Sequence, residues 1–191
     1  HRLDADTSGI VLIAKTNESH VNLSNQFKKR SIKKVYFAIT WGKWSKKSGV
    51  IKGLMNRKKS DPTSYALNSS NENGKHSESS FQVLKQYSNF ACVEFKPLTG
   101  RTHQIRVHSS SKGNPIFGDN KYGGGLKKCN EYSSDFKKTT SKEIIKFDRH
   151  ALHASSIDFE LLNSNGKRLN LEAPIPNALK ELEDSLSNNE N

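Results

Sequence analysis

Short strand-like runs joined by tight turns constrain this chain more than any other feature. Phe81-Gln82-Val83-Leu84 and Phe90 to Phe95 flank a turn at Ser88-Asn89. Two more runs, around 150–162 and 167–173, flank Asn163-Ser164-Asn165-Gly166, residue types that suit a hairpin turn. Lys34 to Gly42 is rich in aromatic and β-branched residues. Residues 10–15 read as a covered first strand, and Gly49 to Leu54 as a shorter one. Helical signals are fewer. Asn17 to Arg30 reads as a helix, with Asn17 placed to cap it, Glu18 in its first turn and Lys28-Lys29-Arg30 in its last. A second helix, roughly 102–112, can be capped by Thr102 and ends at Gly113. A third, 178–186, follows Pro174 and Pro176, with Asn177 as its cap. Many strands and few helices predict an α+β fold, a mixed and mostly antiparallel β-sheet flanked by helices and loops.

Between these elements the chain changes character. Residues 56–77 read as a hairpin-like excursion with a mobile tip at Asn68 to Gly74. Tyr122-Gly123-Gly124-Gly125 reads as a flexible turn. Residues 126–146 are polar and basic without a clear period, and read as an exposed insertion.

The 191 residues carry 31 Lys and Arg against 19 Asp and Glu, a net charge of +12. So large an excess on a small chain points to an anionic polymer as partner. Nucleic acid fits better than a membrane, because no apolar run is long enough to span one. Cys92 and Cys129 lack metal-site spacing and are too few for a disulfide framework, which suits a reducing cytoplasm. Cys92 reads as a small core residue. The chain starts at His1 without a Met, inside a motif, and reads as a fragment.

Two islands concentrate chemistry. In His1-Arg2-Leu3-Asp4-Ala5-Asp6-Thr7-Ser8-Gly9, Asp4 is the candidate reactive carboxylate, since an Arg can hold it ionised, and Asp6 reads as a turn cap. In Gly100 to His108, the residues Arg101, His103, Arg106 and His108 crowd together with no acidic neighbour, and His103 and Arg106 share a face by spacing. Arg suits bidentate pairing with a carboxylate or phosphate. Strand alternation groups Lys34, Tyr36 and Ala38. Lys34 and Trp41 beside Tyr36 read as a basic-aromatic face able to stack a nucleobase.

The islands belong to a series: H-R-L-D-x-x-T-S-G at His1–Gly9, K-x-Y-x-A at Lys34–Ala38, L-x-T-G-R-T-H-Q-I-R-x-H at Leu98–His108, G-x-P-I-x-G-D-x-x-Y-G at Gly113–Gly123, and Leu152-His153-Ala154. In this order they resemble the RluA/RluD-type pseudouridine synthases, over roughly residues 1–176. The resemblance implies an isomerase converting uridine to pseudouridine in ribosomal RNA, foremost of the large subunit, or in transfer RNA. It needs no cofactor and no metal. By resemblance Asp4 is the essential aspartate, Tyr36 the active-site tyrosine and Arg106 the arginine paired with the aspartate. Arg2, His103, Arg101 and Lys34 are the expected substrate-binding residues.

The resemblance implies a catalytic domain over 1–176 that lacks its N-terminal part, with 177–191 a C-terminal helix and frayed tail. The expected molecule is a cytoplasmic monomer that binds RNA, without a membrane or an obligate protein partner. Lys28, Lys29, Arg30, Arg57, Lys58, Lys59, Lys127 and Lys128 are candidate phosphate contacts. Ser109-Ser110-Ser111 stands where the resembled proteins are more apolar, and Ser79 where they carry Thr. The alternatives are a non-catalytic RNA-binding module with the same fold, and a metal-dependent nuclease built on Asp4, Asp6 and the histidines. The nuclease ranks lower because the second island supplies no carboxylates for a hard cation.

Overall fold

A computed structural model describes residues 1–68 and 73–188. Eight strands form one sheet: β1 (Ser8–Gly9), β2 (Lys33–Trp41), β3 (Ser48–Arg57), β4 (Tyr65–Asn68), β5 (Lys75–Gln86), β6 (Phe90–Pro97), β7 (Leu152–Glu160) and β8 (Arg168–Glu172). Five α-helices accompany them: α1 (Asn17–Lys29), α2 (Gln104–Ser111), α3 (Leu126–Cys129), α4 (Ser134–Phe147) and α5 (Asn177–Ser187). The strand order is β1-β7-β2-β6-β5-β3-β4, with β8 also on β7. Among the described residues only the β1–β7 pair is parallel. The expected α+β class with a mostly antiparallel sheet is what the structure has.

The sheet buries its middle. Phe90, Ala91, Cys92 and Val93 are buried in succession. Successive strand residues point to opposite faces, so both faces of β6 are covered. One face carries Tyr36 and Ser79 and receives α2. The other carries Cys92 and Trp41 and receives α4 and α5. Trp41 is fully buried there, stacked on Phe117 and Tyr132 with Phe136 at its edge. Trp41 therefore belongs to no basic-aromatic face with Lys34 and Tyr36, because the period of two sends it to the opposite side of β2.

Residues 10–15 are not a covered strand. β1 stops at Gly9, whose backbone lies so close to β7 that a Cβ would sit 2.2 Å from Ala154 O. Beyond that point β8 and the residue after it take the same edge of β7, starting with Ala173 N to Ser155 O at 2.8 Å. Val11 and Ile13 are left exposed.

Residues 126–146 are not an exposed insertion either. Phe136, Thr140 and Ile144, four apart, form the buried stripe of α4, and Cys129 on α3 joins the same core. Leu179, Leu182 and Leu186 of α5 complete that core. Glu183 ties α5 to the sheet by accepting from Lys85 Nζ at 2.9 Å and Tyr87 OH at 2.7 Å.

The caps shift by a residue. Thr16, not Asn17, caps α1 and accepts from Ser19 N–H. His103 and Pro176 occupy the capping positions of α2 and α5, with no side-chain cap from Thr102 or Asn177. Tyr122 to Gly125 is a packed turn: Gly124 O accepts from Trp41 Nε1 at 2.8 Å, and a Cβ on Gly124 would fall 1.8 Å from Ile116 O. Ser109, Ser110 and Ser111 do not weaken α2, since each hydroxyl satisfies a carbonyl, of Asn114, Tyr122 and His108. The tip expected at Asn68 to Gly74 and the tail at 187–191 fall largely outside the described residues.

Candidate active site

The turn before β1 is closed by the backbone, Thr7 N–H to Asp4 O at 3.0 Å, rather than by the exposed Asp6 side chain. Two histidines near the start of β7 hold it down. Thr7 Oγ1 lies 2.7 Å from His150 Nε2, and Ser8 Oγ lies 2.8 Å from His153 Nδ1. These contacts present Asp4 to the sheet face that α2 covers.

On that side a cleft of about 490 Å³ opens. Asp4, Tyr36, Arg106, Arg2, His103, Arg101 and Lys34, drawn from three separate segments, all line it. Lys28 and Arg30 from the end of α1 add two cations to its rim, while His1 stacks on Phe27 with ring centroids 4.9 Å apart. The other candidate phosphate contacts lie elsewhere. Arg57 sits over the Tyr65 ring, Lys58 over the Tyr122 ring, and Lys128 pairs with Glu131.

Arg106 is the hub. It is buried, and it donates Nε to Asp119 Oδ2 at 2.7 Å, Nη2 to Asp119 Oδ1 at 2.8 Å and Nη1 to Asp4 Oδ2 at 3.2 Å. Burial opposes its charge, but Asp119 and then Asp4 outweigh burial and raise its pKa. The crowded cationic stretch thus has acidic partners after all, brought in from elsewhere in the chain. His108, two residues on, is fully buried and bonds Ser77 instead of solvent.

The loop carrying Arg101 and His103 is stapled by Gln104. Its Oε1 accepts from Thr99 Oγ1 and Arg101 N–H, and its Nε2 donates to Glu78 O and Ser79 Oγ. Every hydrogen-bonding position of the amide is used, which makes this buried glutamine a precise spacer. Ser79 serves here as an acceptor.

Burial, then the Asp4 charge, pushes the Tyr36 phenol up to about 12. Burial lowers the Lys34 ammonium. His103 is lowered by burial foremost, with Asp4 pulling the other way. At neutral pH the cleft therefore offers an ion-paired carboxylate, a protonated phenol and a neutral imidazole.

Sequence reasoning passed over Asp119, Tyr122 and His150. The first two sit three apart inside the G-x-P-I-x-G-D-x-x-Y-G segment, and that Asp/Tyr spacing was the available signal. A second basin shares Asp4, His103 and Arg106 with the first and is completed by Asp6, Lys121 and Arg149. Among the described residues no three His, Cys, Asp or Glu side chains are grouped as a metal ion requires. No helix among them is long and apolar enough to cross a membrane.

Residues 1–111 match the family model described as RNA pseudouridylate synthase. The chain is 33% identical over 182 residues to ribosomal large subunit pseudouridine synthase C of Vibrio parahaemolyticus, covering 95% of this chain and 53% of that protein. It is 38% identical over 181 residues to the protein of the same name in Rickettsia bellii, covering 92% and 53%. Among solved structures, human RNA pseudouridylate synthase domain containing 1 superposes with a TM-score of 0.72 at 25% identity, covering 97% of this chain and 78% of that one. The chain spans about half the length of the curated relatives it matches.

Proposed function

This chain belongs to the RNA pseudouridylate synthase family, and from that premise we propose that it isomerises uridine to pseudouridine in RNA. Large-subunit ribosomal RNA is the favoured substrate, following the names of its relatives, and transfer RNA is the other candidate. The observation that carries this reading is Arg106, fixed by Asp119, meeting Asp4 at 3.2 Å in the wall of a cation-rimmed cleft beside Tyr36.

A uridine stacked in a helix shields its reactive atoms, so the target nucleotide must leave the stack. Lys28, Arg30, Arg2 and Arg101 at the rim supply the phosphate contacts that orient the RNA. Asp4, ion-paired with the guanidinium, attacks the ribose or the ring. The glycosidic bond breaks, the uracil turns, carbon 5 bonds to the ribose and its proton leaves. The ring keeps all its heavy atoms on the same sugar, and the proton lost from carbon 5 is balanced by one taken up at the nitrogen freed from the ribose, so no redox partner or external group is consumed.

Tyr36 provides a flat surface for the ring. With its pKa near 12 it is a protonated phenol at working pH. It can accept the carbon-5 proton only as its own proton moves off. The buried, unpaired cysteines suit a reducing cytoplasm, and the cleft is assembled from one chain, so a monomer suffices.

The test is tritium release from carbon-5-labelled uridine in ribosomal and transfer RNA, with EDTA present, for the wild type and Asp4→Asn. The expected result is chelator-insensitive release that falls about 10³-fold or more in Asp4→Asn, with RNA affinity retained. Equal loss of binding and turnover overturns the catalytic role of Asp4. No release with salt-sensitive RNA binding intact assigns a non-catalytic binding module instead.

A further inference from the structure

His103 precedes α2 with φ 57° and ψ 20°, a left-handed backbone that is strained for a non-glycine residue. Its imidazole lines both basins of the cleft. Nδ1 lies 2.7 Å from the Tyr122 hydroxyl, and the oxygen of that hydroxyl accepts the Tyr65 backbone N–H at 3.1 Å. Tyr122 is only 6% exposed, so its O–H proton needs an acceptor inside the protein. Nδ1 is the acceptor in reach. The phenol therefore donates to Nδ1, and the proton of the neutral ring belongs on Nε2. Both rings are held in place. The Arg106 guanidinium lies 5.0 Å from the Tyr122 centroid, and Tyr65 meets His103 edge-on at 87°.

We infer that His103 presents Nε2–H as a fixed, neutral hydrogen-bond donor to an oxygen of the target nucleotide, and that Tyr122 is the positioning residue that selects this tautomer. The ligand rests on the isomerase reading above; the tautomer rests on geometry alone. Four charged groups face the imidazole: Asp4, Arg106, Lys121 and Asp119. Burial, aided by Arg106 and Lys121, keeps it neutral against the two carboxylates. Neutrality matters chemically. A cationic His103 would pair with Asp4 and blunt the carboxylate, whereas a neutral donor binds the nucleotide and leaves Asp4 reactive.

Two readouts test this. Heteronuclear NMR of the imidazole nitrogens in the RNA-free protein should show His103 as the Nε2–H tautomer. Tyr122→Phe should mix the tautomers and lower kcat about ten-fold, the worth of one hydrogen bond, with KM for RNA little changed. His103→Gln, whose amide nitrogen can stand near the Nε2 position, should retain more turnover than His103→Ala. A wild-type Nδ1–H tautomer overturns the inference, and so does a Tyr122→Phe variant with unchanged tautomer and turnover. Absence of tritium release from the wild type would overturn the isomerase reading and the nucleotide as ligand, while the spectrum would still decide the tautomer.

Discussion

Asp119 grips Arg106 by both prongs of the guanidinium, Nε at 2.7 Å and Nη2 at 2.8 Å, and the two side chains are 1% and 9% exposed. Removing one partner of a dry ion pair strands the other, at about 3–5 kcal/mol. Asp4 remains as a second partner for Arg106, so the lower end applies. Asp119→Ala should lose about 3 kcal/mol in urea denaturation and at least ten-fold in turnover, because Arg106 then swings toward Asp4. Asp119→Asn, which keeps an acceptor oxygen, should lose less of both. Unchanged turnover in a folded Asp119→Ala protein would show that Asp4 does not depend on how Arg106 is held.

That pair also marks the limit of what the sequence discloses. Asp4 and Arg106 stand out locally, one in an acid-rich turn and the other in a cationic cluster. The Asp119/Tyr122 spacing marks its segment, but that Asp119 is the partner of Arg106 is set by tertiary packing. Strands rich in aromatic and β-branched residues, such as Lys33–Trp41 and Phe90–Pro97, are legible from their residue types even though their burial does not alternate. Ile10 to Ala14 was apolar enough for a strand but had no free edge to pair with, since the β8 side of the sheet already occupies β7. In α4 only Phe136, Thr140 and Ile144 carry the period, and the threonine hides it by hydrogen-bonding Phe136 O from inside the core.

Tyr36→Phe separates the ring from the hydroxyl. The phenyl ring keeps the stacking surface, so RNA binding should persist. Turnover should fall about 10²-fold if the phenol takes part in moving the carbon-5 proton, read by single-turnover tritium release. The raised phenol pKa has a second consequence. The unfolded chain ionises near pH 10 and the folded site near 12, so this tyrosine withdraws stability as pH rises through that window. The variant should show a shallower alkaline loss in urea titrations.

Arg30 follows the last turn of α1 in a left-handed conformation, φ 56°, at the cleft rim. A phosphate contact there would release about one counterion. Arg30→Gln should weaken binding to all RNA sequences alike and reduce the slope of log K against log salt by about 1. An unchanged slope would place the RNA backbone elsewhere.

His108 makes the acid limb of stability steep. Ser77 Oγ donates to Gly53 O at 3.0 Å, so His108 Nε2–H donates to Ser77, at 2.9 Å, and the ring is neutral. Burial foremost, then Lys112, pushes its pKa down to about 4. The unfolded chain takes up a proton near pH 6.5 and the folded one only near 4. Stability is therefore full above 6.5 and falls by about 3 kcal/mol on the way to 4. Burial lowers His150 and His153 in the same direction, so the limb is shared. His108→Phe should flatten it in part, measured as the urea midpoint against pH.

Ile144 and Ile145 are neighbours on α4 with opposite fates, 5% and 67% exposed. Ile144 belongs to the core that also holds Leu179, Leu182 and Leu186. Truncating a buried isoleucine removes its transfer energy and leaves a cavity, at about 2–4 kcal/mol. An exposed one loses little, within about 0.5 kcal/mol. Ile144→Ala should therefore lower the thermal midpoint by several degrees, about 2–4 °C per kcal/mol for a chain of this size, while Ile145→Ala leaves it nearly unchanged. The contrast tests the register of α4 directly. A rotation of one residue would exchange the two results, and equal small effects would mean that α4 is the exposed insertion its composition suggests.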